Sequence, residues 1–118
     1  MTPLTSWKLR DLVVAALEDR KGQSIVAMDV TDVTDITDFM VIASGTSNRH
    51  VKSLVDQVIE AAKSGHNPLL GVEGRETYEW VLLDLGDVLV HVMQTATREF
   101  YALERLWLPL PADSTTSN

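Results

Sequence analysis

Cysteine is absent from this chain, which excludes disulfides, thiol nucleophiles and cysteine-ligated zinc and fits a reducing compartment. No apolar run approaches the roughly 18 residues a membrane span needs, and Met1-Thr2-Pro3-Leu4 lacks the basic-then-apolar pattern of a secretory signal. The expectation is a soluble, cytoplasmic protein. Positive charge is scarce: Lys and Arg number 10 against 17 Asp and Glu, a formal net charge of −7. Without a basic stripe to displace counterions, bare phosphate backbone is a poor primary partner and a basic protein a better one. The imbalance is local. Between Pro68 and Thr95, Arg75 stands alone against Glu73, Glu76, Glu79, Asp84 and Asp87.

The usual signs of catalysis are missing too. His50, His66 and His91 have no metal-ligand spacing and no cysteine to join them. Ser44 and Ser47 lie outside any G-x-S-x-G elbow. In Asp29 to Asp38 an acid recurs every third residue, whereas a calcium loop spaces acids by two around a central glycine; turn-forming and capping acids are the expected role. Gly45-Thr46-Ser47 joins an apolar run to a helical pattern, with Arg49 and His50 in the first turn, a step that can hold phosphate. Nucleotidyltransferases use a similar step but need a nearby D-x-D or D-x-E pair for two metal ions. None is present, and Asp84 and Asp87 flank a turn instead.

With 118 residues the chain makes one domain. Its centre of gravity is Glu79 to Met93, two aliphatic runs joined across Gly86-Asp87, the pattern of a β-hairpin. If Leu85-Gly86 or Gly86-Asp87 is a two-residue loop, period-two alternation places Val81, Leu83, Val88, Val90 and Val92 on one face, which belongs against helices, whereas a three-residue loop changes which residues of the second strand join Trp80. The other face carries Trp80, Leu82, Asp84, Leu89 and His91, a mixture suited either to cover by the chain itself or to docking.

The remaining elements follow in order. Leu9, Leu12, Val13, Ala16 and Leu17 predict a first helix capped by Thr5 or Ser6 and stopped by Gly22. Ser24 to Val30 reads as a strand, and Phe39 to Ser44 as a strand buried on both faces. Val51, Leu54, Val55, Val58, Ile59 and Ala62 mark a second helix ended by Gly65, with Thr46 or Ser47 as its cap. Leu69 to Gly74 is a short strand before the hairpin. Thr95 or Thr97 should cap a last helix presenting Phe100, Leu103, Leu106 and Trp107 on one face. Residues 1–107 form the domain, and 108–118 read as a disordered tail. The expected fold is α+β, a mixed five-stranded sheet with helices on its faces.

Thr37 to Val51, Gly71-Val72-Glu73-Gly74, the Trp80 to His91 hairpin and Arg98-Glu99-Phe100-Tyr101-Ala102-Leu103-Glu104-Arg105-Leu106-Trp107 together resemble the ribosomal silencing factor (Iojap-like) family. The resemblance covers Leu4 to Trp107 and is specific in the combination of motifs. Thr95-Ala96-Thr97 departs from it, standing where an acid often precedes the arginine of the last helix. The resemblance implies a translation repressor, not an enzyme, with no cofactor or metal. It implies binding to ribosomal protein fourteen of the large subunit, which blocks joining of the small subunit when nutrients are short. It further implies a nucleotidyltransferase-like core lacking catalytic acids, and a homodimer off the ribosome. On this chain the docking surface is expected at Trp80 and Leu82, with His91 beside them and Asp84 and Asp87 as a charged rim. Two competing readings stand beside it: Trp80 as a core anchor, and a magnesium-dependent enzyme acting on a nucleotide or RNA.

Overall fold

The computed structural model describes residues 4–101. In chain order these form α1 (Ser6–Asp19), β1 (Gln23–Asp29), β2 (Phe39–Gly45), α2 (Asn48–Ser64), β3 (Gly71–Glu73), β4 (Trp80–Asp84), β5 (Val88–Gln94) and α3 (Thr95–Tyr101). The strands make one sheet in the order β1-β2-β5-β4-β3. β2 and β5 run parallel while the other neighbours are antiparallel, so the sheet is mixed, as expected. Leu103, Leu106, Trp107 and the expected tail lie outside the described residues. Among the described residues no helix is long and apolar enough to cross a membrane.

The apolar run of β2 sits between β1 and β5, and every one of its residues is buried. One face of the sheet, bearing Val41, Ala43, Val81, Leu83, Val88, Val90 and Val92, packs on Leu9, Val13 and Leu17 of α1 and Val51, Leu54, Val55 and Val58 of α2. Each fully buried aliphatic side chain contributes roughly 1.5–3 kcal/mol relative to an exposed one, which makes this layer the main core. α2 starts at Ser47, whose Oγ accepts the His50 N–H at 3.1 Å. It closes at Gly65, whose N–H donates to Ala61 O. Two capping expectations need correction. Thr5 has the extended backbone of an N-cap, but its side chain makes no capping bond. Thr95 is already the first helical residue, because β5 passes into α3 without a loop, and its hydroxyl reaches Gly45 O at 3.5 Å instead.

The hairpin turns on Gly86-Asp87, with the Leu85 N–H donating to Val88 O at 3.0 Å. Gly86 takes φ +86°, the left-handed region a tight hairpin needs at its first central position. The register pairs Leu83 with Val90 and Val81 with Val92, so the two faces divide as the alternation predicts. β1 carries a bulge between Gln23 and Val26, where Ser24 adopts φ +49°. The Ser24 carbonyl accepts from Arg98 Nη1, which also donates to Ser44 Oγ at 3.0 Å and so holds α3 against β1 and β2.

Candidate functional site

The outer face of the sheet is covered unevenly. Toward β1, β2 and β5 it is closed, with Met28, Met40, Ile42 and Met93 buried. Toward β4 it opens, leaving Trp80, Leu82 and Asp84 half-buried. A cavity of about 300 Å³ lies there, lined by Glu73, Gly74, Trp80, Leu82 and His91. It adjoins a second of about 230 Å³ lined by Gly71, Val72, Glu73, Leu82 and Asp84.

His91 stands across from Leu82 on β5 and is only 7% exposed. The Trp80 indole N–H donates to His91 Nδ1 at 2.9 Å. An indole can only donate, so the neutral ring carries its proton on Nε2. Burial lowers the His91 pKa to about 4, which leaves the ring uncharged at neutral pH. Trp80 also stacks against Tyr101, with ring centroids 5.0 Å apart and planes tilted by 47°. Trp80 is therefore half-buried, held by His91 and Tyr101 while part of it lines the open cavity.

The β3 to β4 connection shapes the other wall. Gly74 has φ +98°, and a Cβ there would come within 2.0 Å of the Trp80 carbonyl oxygen. Only glycine lets this backbone close on Trp80. Glu73 pairs across the sheet with Leu82, bringing an exposed carboxylate to the cavity edge.

Of the residues singled out in the sequence, Trp80, Leu82 and His91 converge here. Asp84 lines the neighbouring hollow, with Oδ1 accepting the Gly86 N–H at 2.8 Å. Asp87 is the second residue of the turn itself, exposed, and its main-chain oxygen accepts the Asp38 and Phe39 N–H groups at 3.0 Å. Glu73 and Gly74 were legible only as part of a motif, and the burial of Arg98 gave no local signal. His50 and Arg49 lie elsewhere. His50 Nδ1 accepts the Thr46 N–H at 2.9 Å, so Nε2 carries the proton and donates to Arg20 O at 2.9 Å, bracing α2 on the end of α1. Arg49, Arg20 and Lys52 line an open depression of about 470 Å³ that also contains Asp56 and Glu60. Lys52 is paired there with Asp56 at 2.8 Å, so the charge is mixed.

The family model described as ribosomal silencing factor during starvation matches residues 3–118. The ribosomal silencing factor RsfS of Chromobacterium violaceum is 43% identical, over 85% of this chain and 82% of its own. A mouse protein named mitochondrial assembly of ribosomal large subunit protein 1 is 33% identical, over 82% of this chain and 44% of its own. A crystal structure of a Chromobacterium violaceum protein superimposes with a TM-score of 0.86 at 40% identity, covering 92% of this chain and 93% of that one. By sequence along nearly its whole length and by the fold of its described residues, this chain belongs to the ribosomal silencing factor family.

Proposed function

We propose that this protein is a non-enzymatic, cytoplasmic translation repressor that docks on ribosomal protein fourteen of the large subunit and keeps the small subunit from joining. Family membership is the observation that carries this reading. The open part of the sheet supports the docking half of it: Trp80, Leu82 and His91 supply an indole-centred patch, Asp84 lines the adjoining hollow, and Asp87 is exposed at the hairpin turn. Interfaces concentrate their energy in such half-buried aromatics, and acidic rims speed the approach of a basic protein. Off the ribosome the chain pairs as a homodimer.

Sedimentation with isolated subunits tests the proposal. The protein should travel with the large subunit and not with the small one, and the yield of joined ribosomes should fall as it saturates the large subunit. If saturation is demonstrated and the yield of joined ribosomes does not change, the silencing mechanism is wrong. Light scattering of the free protein tests the dimer: a mass near the 13.1 kDa of one chain overturns it.

A further inference from the structure

The cavity beside Trp80 has a chemistry more selective than that of an apolar patch. Indole, Leu82 and the His91 ring line it, and the Glu73 carboxylate stands at its edge. Among the described residues Glu73 has no ion-pair partner. Arg75, the single cation between Pro68 and Thr95, does not line the cavity. His91 is neutral, with its one acceptor nitrogen already taken by Trp80. An indole beside a carboxylate with no ion-pair partner, and with no cation lining the cavity, is the composition that attracts a cation on a hydrocarbon stem.

We propose that this cavity receives one basic side chain of the partner protein, with its stem against Leu82 and Trp80 and its cation between the indole and Glu73. This deepens the docking reading above and rests on it for the identity of the partner as a basic protein. Size and charge commit the site to this occupant. About 300 Å³ is the small end of ligand cavities and suits a single long side chain, not a helix. A second copy of this chain would bring the same acidic stretch, with five acids against Arg75, and meet like charge.

The test uses the full chain and a probe that involves no ribosome. N-acetyl-arginine amide is titrated while the Trp80 indole N–H resonance is followed by NMR, the assignment coming from its loss in Trp80→Phe. N-acetyl-citrulline amide, nearly the same shape without the charge, is the control. Arginine should shift the resonance along a saturable curve, citrulline should shift it at least fivefold less, and Glu73→Gln should weaken the arginine response severalfold. Equal responses to the two probes, or an unaltered curve in a folded Glu73→Gln, overturn the proposal. On isolated large subunits, Glu73→Gln should lower affinity about tenfold, while Glu76→Gln, an exposed acid outside the cavity, should change it less than twofold. Failure of the probe titration rejects the cavity assignment whatever the ribosome does. A chain that captures arginine but does not travel with large subunits rejects the ribosomal partner instead.

Discussion

His91 shows how one buried side chain couples stability to pH on the outer face of the sheet. Its pKa falls from an unfolded value of about 6.5 to about 4 because burial penalises the charged ring. Between those two values the unfolded chain binds a proton that the native chain refuses. The contribution is therefore fully present above about pH 6.5 and declines as pH falls toward 4. By about pH 5 the loss amounts to roughly 2 kcal/mol. We expect the melting temperature of the wild type to drop more between pH 7 and pH 5 than that of His91→Gln, which cannot titrate. Equal drops in the two proteins would remove the neutral buried imidazole from this account. The place of His91 on the outer face of the hairpin was legible in the sequence; its hydrogen bond from Trp80 was not. Period-two alternation puts Trp80, Leu82 and His91 on one face without saying which of them lies deep. Depth depends on strand order. β5 is flanked by β2 and β4, whereas β4 has only the three-residue β3 beyond it.

At the scale of elements, the local signals were strong wherever a segment's own pattern decides its burial. The unbroken apolar run of β2, the stripe on α2 and the division of the hairpin faces all appear as the residues suggest. The parallel pairing of β2 with β5 was not legible, because it joins strands separated by α2, β3 and β4 and has no local sequence mark. The same holds for the site wall made by Glu73 and Gly74, whose places follow from a short edge pairing. Glycine substitutions probe these connections directly. At Gly86 a Cβ meets only Leu70 Cδ1 at 3.3 Å, so Gly86→Ala should cost about 1 kcal/mol through its positive φ. At Gly74 the same change drives a Cβ into the Trp80 carbonyl. Gly74→Ala should therefore cost more, roughly 2–3 kcal/mol, and displace β3. Denaturant melts of the two variants check this, and a Gly74→Ala no worse than Gly86→Ala would contradict the contact. Ser47→Ala, which removes the cap bond to His50 N–H, should cost about 1 kcal/mol in the same assay.

At the scale of the whole molecule, an acidic chain with its open face on an acidic stretch should separate two kinds of contact by their response to salt. In the proposed docking Asp84 and Asp87 act through their charge on approach, and that field is screened beyond about 10 Å at 0.1 M salt. Asparagine is the right probe at Asp84 because its carbonyl oxygen still accepts the Gly86 N–H, so the hairpin turn survives while the charge is lost. The double change Asp84→Asn with Asp87→Asn should slow association with large subunits at low ionic strength and matter progressively less as salt rises. In the same proposal Trp80 acts by contact. Cutting it to alanine should speed dissociation at every salt concentration, on the order of thirtyfold for an indole at the centre of an interface. It should also lower stability, because His91 Nδ1 loses its donor and Tyr101 its stacking partner. The two effects are separable by measuring dissociation on the folded fraction alone and by adding Trp80→Phe, which keeps a ring against Tyr101 while removing the N–H. A large fall in melting temperature with near-normal dissociation of the folded Trp80→Ala protein would assign Trp80 to the core and move the docking surface off this face.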